Sequence, residues 1–163
     1  MPNDHLTPRS TPLGKGDTAP DFTLPNQDRE EVTLSKLLDD GDVVLSFFPM
    51  AFTSVCGAEM GCFTRDLARF KDKGATVLGI SCDSFATLKA WAEHDKIQAP
   101  MLADMHRQVC RAYGVYFAPL NVAGRATFLI KGGRGADRGK VAWASARELG
   151  EAVKNEDVLA AIS

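Results

Sequence analysis

The stretch DVVLSFFPMAFTSVCGAEMGCF, residues 42–63, carries the clearest structural pattern of the sequence. It opens with an almost unbroken apolar run that ends at Pro49, which is the pattern of a β-strand buried on both faces. Apolar residues then recur at helical spacing, at Cys56, Met60 and Phe63. A buried strand that passes directly into a helix predicts an α/β fold, and Cys56 lies where that helix is expected to begin.

The remaining segments continue the alternation of strands and helices. An opening hairpin, formed by DFTLPNQ and EVTLSKLL, leads into a short helix. Further strands are predicted at ATVLGISC, RATFLI and KVAWASA, and further helices at SFATLKAWAEHDK, ADMHRQVCRAYG and NEDVLAAIS. We expect Gly74 to end the first long helix, Asp83 or Ser84 to cap the second, and Asn155 to cap the last. This order predicts a mixed central sheet with helices on both faces.

Length and composition limit the kind of protein. The chain has 163 residues, a formal net charge of −2 and 25% charged residues, which is typical of one soluble globular domain. We expect residues 14–163 to form that domain and residues 1–13, rich in Pro, Ser and Thr, to form a flexible tail. Because no basic run, long apolar segment or export signal is visible, we expect no nucleic-acid or membrane partner and a cytoplasmic location.

The four cysteines, Cys56, Cys62, Cys82 and Cys110, contain no C-x-x-C pair. Without an export signal, a structural disulfide framework is not expected. A metal site is not expected either, because Cys62 and Cys82 lack close second ligands in the sequence. Cys56 and Cys82 each follow a predicted strand, where ligand chemistry gathers in open α/β sheets. Cys110 is interpreted as a packing residue of a short helix.

The start of a helix favours a reactive thiol. The thiolate is the nucleophilic form of cysteine, and the first turn of a helix presents unpaired N–H groups and about half a positive charge that stabilise an anion. Pro49 has no N–H and can line a pocket, while Thr53 offers a hydroxyl one turn before Cys56. Simple packing on the apolar side of the helix is the alternative role for Cys56.

These residues carry a resemblance to a known family. PMAFTSVC matches the P-x-x-x-T-x-x-C motif of peroxiredoxins, and GDTAPDFTL, ISCDS, AYGV and GRATFLI resemble further segments of that family over nearly the whole chain. The resemblance is nearest to the one-cysteine alkyl hydroperoxide reductase E type, with the bacterioferritin-comigratory (Q) type next. It implies a thioredoxin-like fold and a peroxidase without metal or organic cofactor that reduces hydrogen peroxide and organic hydroperoxides.

The resemblance also implies roles for particular residues. Cys56 would be the peroxidatic cysteine, whose thiolate attacks peroxide and becomes a sulfenic acid. Thr53 would hydrogen-bond the peroxide, Arg125 would hold the thiolate and the peroxide, and Pro49 would shield the pocket. The N–H groups of Val55 and Cys56 would bind the oxygens as charge shifts between them.

Three expectations leave alternatives open. Glu59 matches a glutamate that is common in the family, but it also suits a solvated helix face. The reductant would be a thioredoxin-like protein or a low-molecular-weight thiol, and the resemblance implies a homodimer. A thiol–disulfide exchange protein would use a similar fold but would need a C-x-x-C motif. A redox-regulated chaperone or a peroxide sensor is an answer of a different class.

The partner of Cys56 after oxidation is a separate question. In an intact helix the α-carbons of Cys56 and Cys62 would be about 10 Å apart, whereas a disulfide needs less than about 7 Å. The helical wheel also places Cys62 on a polar face with Glu59, Asp66 and Arg69. In the Q type the second cysteine comes five residues after the first, and Gly61 occupies that position here. We therefore expect an external thiol to reduce Cys56, with Cys82 as the alternative within the chain and Cys62 as a candidate only if the helix unwinds.

Overall fold

A computed structural model describes residues 1–162 of the chain. Its core is a five-stranded sheet in the order β5-β4-β3-β8-β9. The strands are β1 Thr23–Pro25, β2 Glu31–Thr33, β3 Asp42–Phe47, β4 Ala75–Ser81, β5 Met101–Ala103, β6 Tyr116–Phe117, β7 Val122–Ala123, β8 Arg125–Ile130 and β9 Val141–Arg147. The helices are α1 Leu34–Leu38, α2 Ser54–Asp72, α3 Phe85–Asp95, α4 Gln108–Ala112 and α5 Asn155–Ala161.

The central sheet is mixed, as predicted. Strands β3, β4 and β5 are parallel, while β8 is antiparallel to β3 and β9 is antiparallel to β8. At the carboxyl end of β3, Phe47 lies opposite Ile80 of β4 and Ala126 of β8. This register brings the end of β3 to the beginning of β8. Strand β5 is absent from the sequence-based expectation, because three residues are too few to show a period.

Helices cover both faces of the sheet, which confirms the predicted architecture. We call the two sides the α2 face and the α4 face. Helices α2, α3 and α5 pack on the α2 face against sheet residues that include Val44, Val77 and Leu129. Helices α1 and α4 pack on the α4 face against sheet residues that include Leu45, Leu78 and Phe128. Alternate residues of one strand therefore belong to different hydrophobic clusters.

Helix α2 is the longest helix of the described chain, with 19 residues. It ends as predicted, because Gly74 has a φ of +77° that a residue with a side chain rarely adopts. The helix packs closely on β4 at Gly79, where an added methyl carbon would lie 2.9 Å from the terminal carbon of Met60. Within residues 1–162, no helix combines the length and the apolar character needed to cross a bilayer.

Helices α3 and α5 begin with different kinds of cap. Ser84 caps α3, since its hydroxyl accepts a hydrogen bond from the Thr87 N–H at 3.1 Å. The expectation that Asn155 caps α5 is wrong. Lys154 occupies the capping position, and the Asn155 amide instead donates to Asp66 of α2 at 2.9 Å. The side chain that seemed suited to a local cap thus joins two helices.

The first thirteen residues lie against the domain. The Leu13 N–H donates to the Tyr113 carbonyl at 3.1 Å, and the Leu13 side chain is buried. Further towards the N-terminus, the Asn3 side chain forms two hydrogen bonds with the backbone of Thr23. The flexibility of residues 1–13 stays a prediction, but the segment has defined contacts in the structure.

Candidate active site

The loop after β3 positions the start of helix α2. The Phe48 N–H donates to the Ile80 carbonyl at 3.0 Å, and the Ala51 N–H donates to the Asp83 carboxylate at 2.9 Å. Both bonds tie the loop to the end of strand β4. Thr53 then takes an extended conformation as the residue before the helix. The loop is therefore held on a rigid edge of the sheet, which fixes where the helix begins.

Cys56 is the third residue of α2, as the sequence predicts. The first bond of the helix runs from the Gly57 N–H to the Thr53 carbonyl at 2.8 Å. The N–H groups of Val55 and Cys56 precede that bond, so they have no acceptor within the helix. The Cys56 side chain is only 1% exposed, and it packs on the α2 face. The thiol thus lies in a nearly dry site beside available N–H groups.

Arg125 reaches the same site from the neighbouring strand. Its Nη2 lies 3.1 Å from the Cys56 Sγ, and its Nε donates to the Leu149 carbonyl at 2.9 Å. Arg125 is the first residue of β8, and the antiparallel pairing brings that residue to the end of β3. The side chain is 3% exposed, so little water screens its charge from the sulfur.

Glu59 holds the other side of the Arg125 guanidinium. The Glu59 side chain is fully buried, and it lies 3.4 Å from Arg125 and 3.2 Å from Arg147. It also accepts hydrogen bonds from the Val153 N–H at 2.8 Å and the Ser46 hydroxyl at 3.3 Å. The structure therefore decides between the two roles open to Glu59. It belongs to the charged network behind Cys56 and does not face solvent.

Arg147 is the site residue that sequence reasoning missed. It lies directly opposite Arg125 in the pairing of β8 with β9, and it donates to the Thr127 hydroxyl at 3.0 Å. Burial lowers the pKa of Arg147, while the nearby Glu59 carboxylate counteracts part of that effect. The sequence does indicate that Thr127 belongs near the site, since it lies two residues after Arg125 and therefore on the same face of the strand. No sequence pattern indicates that Arg147 pairs with Arg125.

The predicted polar face of α2 is only partly exposed. Asp66, like Glu59, is buried, so the polar face predicted from the helical wheel is not open to solvent along its whole length. Hydrogen bonds from Arg65 and Asn155 lower the pKa of Asp66 to about 2. Helix α5 covers this part of α2, and a helical wheel cannot show that, because it contains only the residues of one helix.

Pro49 and Thr53 lie in the loop at the mouth of the site. Pro49 is buried, in keeping with its predicted position. The Thr53 hydroxyl donates to the Met50 carbonyl at 2.8 Å. Because a hydroxyl has one proton and two lone pairs, the Thr53 oxygen is left with lone pairs that can accept a hydrogen bond.

The other candidate cysteines are separated from Cys56. Cys62 is a partly exposed residue of the same helix, which is continuous from Ser54 to Asp72. Cys82 packs on the α4 face, across the sheet from Cys56, and its sulfur lies 3.9 Å from that of Cys110. The position of Cys82 at a strand end thus brings it to Cys110 and not to Cys56. Cys110 is buried, in agreement with its predicted packing role.

One further group of side chains converges away from Cys56. Donor atoms of Cys82, Asp104 and Cys110 all lie within 4.8 Å of one another. Along the sequence Cys82 has no close second donor, as stated above, but the fold brings the donor atoms of Asp104 and Cys110 to it. Cys82 and Cys110 lie on the α4 face, across the sheet from Cys56.

Comparison with known proteins places this geometry in a family. Residues 15–141 match the AhpC/TSA family. Alkyl hydroperoxide reductase E of Mycobacterium tuberculosis is 38% identical over 120 residues, which cover 72% of this chain and 78% of that protein. Peroxiredoxin Bcp of Escherichia coli is 39% identical over 106 residues, which cover 64% of this chain and 67% of that protein.

Solved structures show the same relationship. The crystal structure of peroxidoxin BcpB from M. tuberculosis aligns with a TM-score of 0.81 at 32% identity, covering 92% of this chain and 96% of that one. AhpC of the same organism aligns with a TM-score of 0.79 at 26% identity, covering 93% and 97% of the two chains. The relatives' names do not favour an exchange protein, a chaperone or a sensor. The chain belongs to the AhpC/TSA family and is a peroxiredoxin, a thiol-dependent peroxidase.

Proposed function

We propose that Cys56 is the peroxidatic residue and that it reduces hydrogen peroxide and organic hydroperoxides. Its thiolate attacks one peroxide oxygen and the O–O bond breaks. Cys56 becomes a sulfenic acid, and the other oxygen leaves as water or an alcohol after taking up a proton. The observation that carries this proposal is the 3.1 Å contact between Arg125 Nη2 and Cys56 Sγ, because a buried cation at that distance stabilises the thiolate.

The surrounding donors and acceptors suit a bound peroxide. Thr53 gives its own proton to the Met50 carbonyl, so its oxygen accepts the proton of a peroxide O–H. The N–H groups of Val55 and Cys56 and the guanidinium of Arg125 then donate to the oxygens as negative charge moves from sulfur to the leaving oxygen. These donors are held in place before the reaction, which is the form of electrostatic catalysis that lowers a barrier most.

The apolar residues packed around Cys56 suit organic substrates as well as hydrogen peroxide. Pro49 and Cys56 are both buried, and Pro49 offers no N–H that would bind water in the pocket. Removing water strengthens the interaction between Arg125 and the sulfur. The name alkyl hydroperoxide reductase E, which the relative from M. tuberculosis carries, supports the same substrate class.

An external thiol completes the cycle in this proposal. Within the described chain, the Cys82 sulfur lies on the other face of the sheet and Cys62 lies six residues along a continuous helix. The reductant is therefore a thioredoxin-like protein or a low-molecular-weight thiol, which attacks the Cys56 sulfenic acid and releases water. We further propose a cytoplasmic location, since four free cysteines suit a reducing compartment. We also propose a homodimer, the assembly that the resemblance to the family implies.

The test uses two matched cysteine variants. Cys56→Ser should lose peroxide reduction in an assay with dithiothreitol or thioredoxin as reductant, because a serine hydroxyl does not ionise at neutral pH. Cys62→Ser, in the same helix, should keep most of the activity with either reductant. Treatment of the reduced protein with one equivalent of hydrogen peroxide and a sulfenic-acid trap should label Cys56. Normal turnover by Cys56→Ser would exclude the proposed role, and loss of thioredoxin-dependent turnover in Cys62→Ser would exclude the external route.

A further inference from the structure

A second pair of thiols lies on the α4 face of the sheet. Cys82 directly follows strand β4, and Cys110 is the third residue of α4. The two residues are 28 positions apart in the chain, yet their sulfurs are 3.9 Å apart. Both contribute to the cluster on the α4 face, so the sheet separates them from Cys56. The peroxidase mechanism at Cys56 uses neither of them.

The two thiols differ in exposure and in hydrogen bonding. Cys82 is partly exposed, whereas Cys110 is fully buried. The hydrogen bond with Cys110 lowers the pKa of the Cys82 thiol, and the same bond, together with burial, raises the pKa of the Cys110 thiol. Because Cys82 is the more exposed of the two thiols, it is the one that peroxide from solvent reaches, and its thiolate is the attacking form. An accessible thiolate beside a buried thiol is the arrangement that thiol–disulfide chemistry requires.

Asp104 completes the group with an acceptor for a proton. Its carboxylate accepts hydrogen bonds from the Cys110 N–H at 2.8 Å and the Val109 N–H at 3.2 Å. Burial raises the pKa of Asp104, which makes the carboxylate a stronger base than one in water. It lies within 4.8 Å of both sulfurs, close enough to receive the proton of Cys110 after a small side-chain movement.

We propose that Cys82 and Cys110 form a second redox centre, which peroxide oxidises to a reversible disulfide. The Cys82 thiolate attacks hydrogen peroxide, the O–O bond breaks, and the products are a Cys82 sulfenic acid and hydroxide, which is protonated to water. The Cys110 sulfur then attacks the Cys82 sulfur as its proton passes to Asp104. The S–O bond breaks, the S–S bond forms, and a second water leaves with that proton. Two thiols and one hydrogen peroxide give one disulfide and two waters.

The surroundings of Cys82 set this centre apart from Cys56 in rate. Among residues 1–162 no guanidinium donates a hydrogen bond to the Cys82 sulfur, and the nearby Arg107 donates instead to the carbonyls of Asn121 and Met105. Without a guanidinium hydrogen-bonded at the sulfur to hold the peroxide, as Arg125 is at Cys56, Cys82 reacts more slowly than Cys56. The second centre is therefore oxidised only when peroxide exceeds what Cys56 removes. The disulfide would record peroxide excess, and two equivalents of an external thiol would reset it.

The experiment isolates the pair in the full chain. In a Cys56→Ser, Cys62→Ser double variant, Cys82 and Cys110 are the two remaining cysteines. The variant is treated with increasing concentrations of hydrogen peroxide and quenched by alkylation under denaturing conditions. Its intact mass is then measured without reductant. We expect a mass loss of two hydrogens, no alkylation, and a peptide that joins Cys82 to Cys110. After reduction with dithiothreitol, both thiols should again be alkylated.

Control variants test each step of the same reaction. When Cys110→Ala is added to the double variant, oxidation should stop at a Cys82 sulfenic acid, which the trap labels, and no loss of two hydrogens should occur. If that variant does not fold, Cys82→Ser in the same background should show neither trapping nor mass loss. Full alkylation of both thiols after a tenfold excess of peroxide would overturn the proposal. So would irreversible overoxidation of Cys82, or one tightly bound zinc ion per chain that protects both thiols from peroxide. Because Cys56 is absent throughout, failure here leaves its proposed role unaffected.

Discussion

The two faces of the sheet place a cysteine after a strand end in opposite surroundings. On the α2 face the sulfur of Cys56 lies 3.1 Å from a guanidinium nitrogen, and on the α4 face the sulfur of Cys82 lies 3.9 Å from another thiol. The first sulfur is buried beside a cation, and the second is partly exposed beside the Asp104 carboxylate. A position after a strand end is therefore not enough to set the chemistry of a thiol, because the group nearest to the sulfur also sets it.

Replacing Arg125 gives the largest test of this contrast. Arg125→Ala should slow the reaction of Cys56 with hydrogen peroxide by at least about a hundredfold, which is the usual effect of removing one preorganised donor. Alkylation of Cys56 by iodoacetamide should also slow, whereas alkylation of Cys82 should keep its rate. Mass spectrometry of quenched samples follows both cysteines in one experiment.

A lysine at the same position serves as the matched control for Arg125→Ala. Arg125→Lys keeps the charge but loses the planar fork, so it should recover part of the Cys56 rate. Equal alkylation rates of Cys56 in the wild-type protein and in Arg125→Ala would show that the guanidinium does not activate the sulfur.

Thr53 tests a smaller part of the same site. Thr53→Val removes the hydroxyl but keeps the shape, so it should slow peroxide reduction about tenfold, the equivalent of one hydrogen bond of about 1.4 kcal/mol. Alkylation of Cys56 should not change, because iodoacetamide does not need the Thr53 oxygen. Stopped-flow measurements with Thr53→Ser, which retains the hydroxyl, provide the control. If Thr53→Ser and Thr53→Val were equally slow, the lost contact would be one of packing.

The smallest expected effect concerns Asp66, at the far end of the α2 face from the sulfur. The pKa of Asp66 is lowered to about 2 in the folded chain, and the usual value in an unfolded chain is about 3.9. The folded state therefore gains stability above about pH 4 and loses it as the pH falls from about 4 to about 2. Arg65 and Arg69, which pair with Asp66, are exposed and solvated. We therefore expect the ionised Asp66 to contribute only about 1 kcal/mol to the free energy of unfolding.

Urea unfolding at several pH values measures this contribution. Asp66→Asn should unfold more easily than the wild-type protein at pH 6, and the difference should shrink at pH 3. The Cys56 reaction with peroxide should be unchanged. A difference that grows towards low pH would have the wrong sign for a carboxylate with a lowered pKa.

Local patterns explain which parts of the fold could be predicted. The run DVVLSFF and the helix after it have clear periods, so β3 and α2 are recognisable without any partner. Short strands such as β5 have no period to read. The cap expected at Asn155 is wrong because its side chain bonds to Asp66, 89 residues away in the chain. Local rules hold where the partner is local.

The same limit applies to the sites. Cys56, Thr53 and Arg125 follow from a motif and a resemblance, whereas the burial of Glu59 depends on Val153 and Arg147, which belong to later elements. The Cys82–Cys110 pair has no motif, because α3 and β5 separate its members along the chain. Only the folded sheet brings those two sulfurs together.

Glu59 lies between Cys56 and Cys62 in α2, and its buried contacts oppose opening of the helix start. For these two cysteines to meet, the first two turns of α2 must unwind, and Glu59 must leave its contacts with Arg125, Arg147 and Val153. Breaking a buried ion pair costs about 3–5 kcal/mol, so the unwound form makes up fewer than about one molecule in a hundred. The same movement frees Arg125 from the carboxylate that orients it. The contacts that hold Glu59 beside Arg125 therefore also stabilise the closed helix start. In the proposed cycle, the external thiol would attack Cys56 in that closed form.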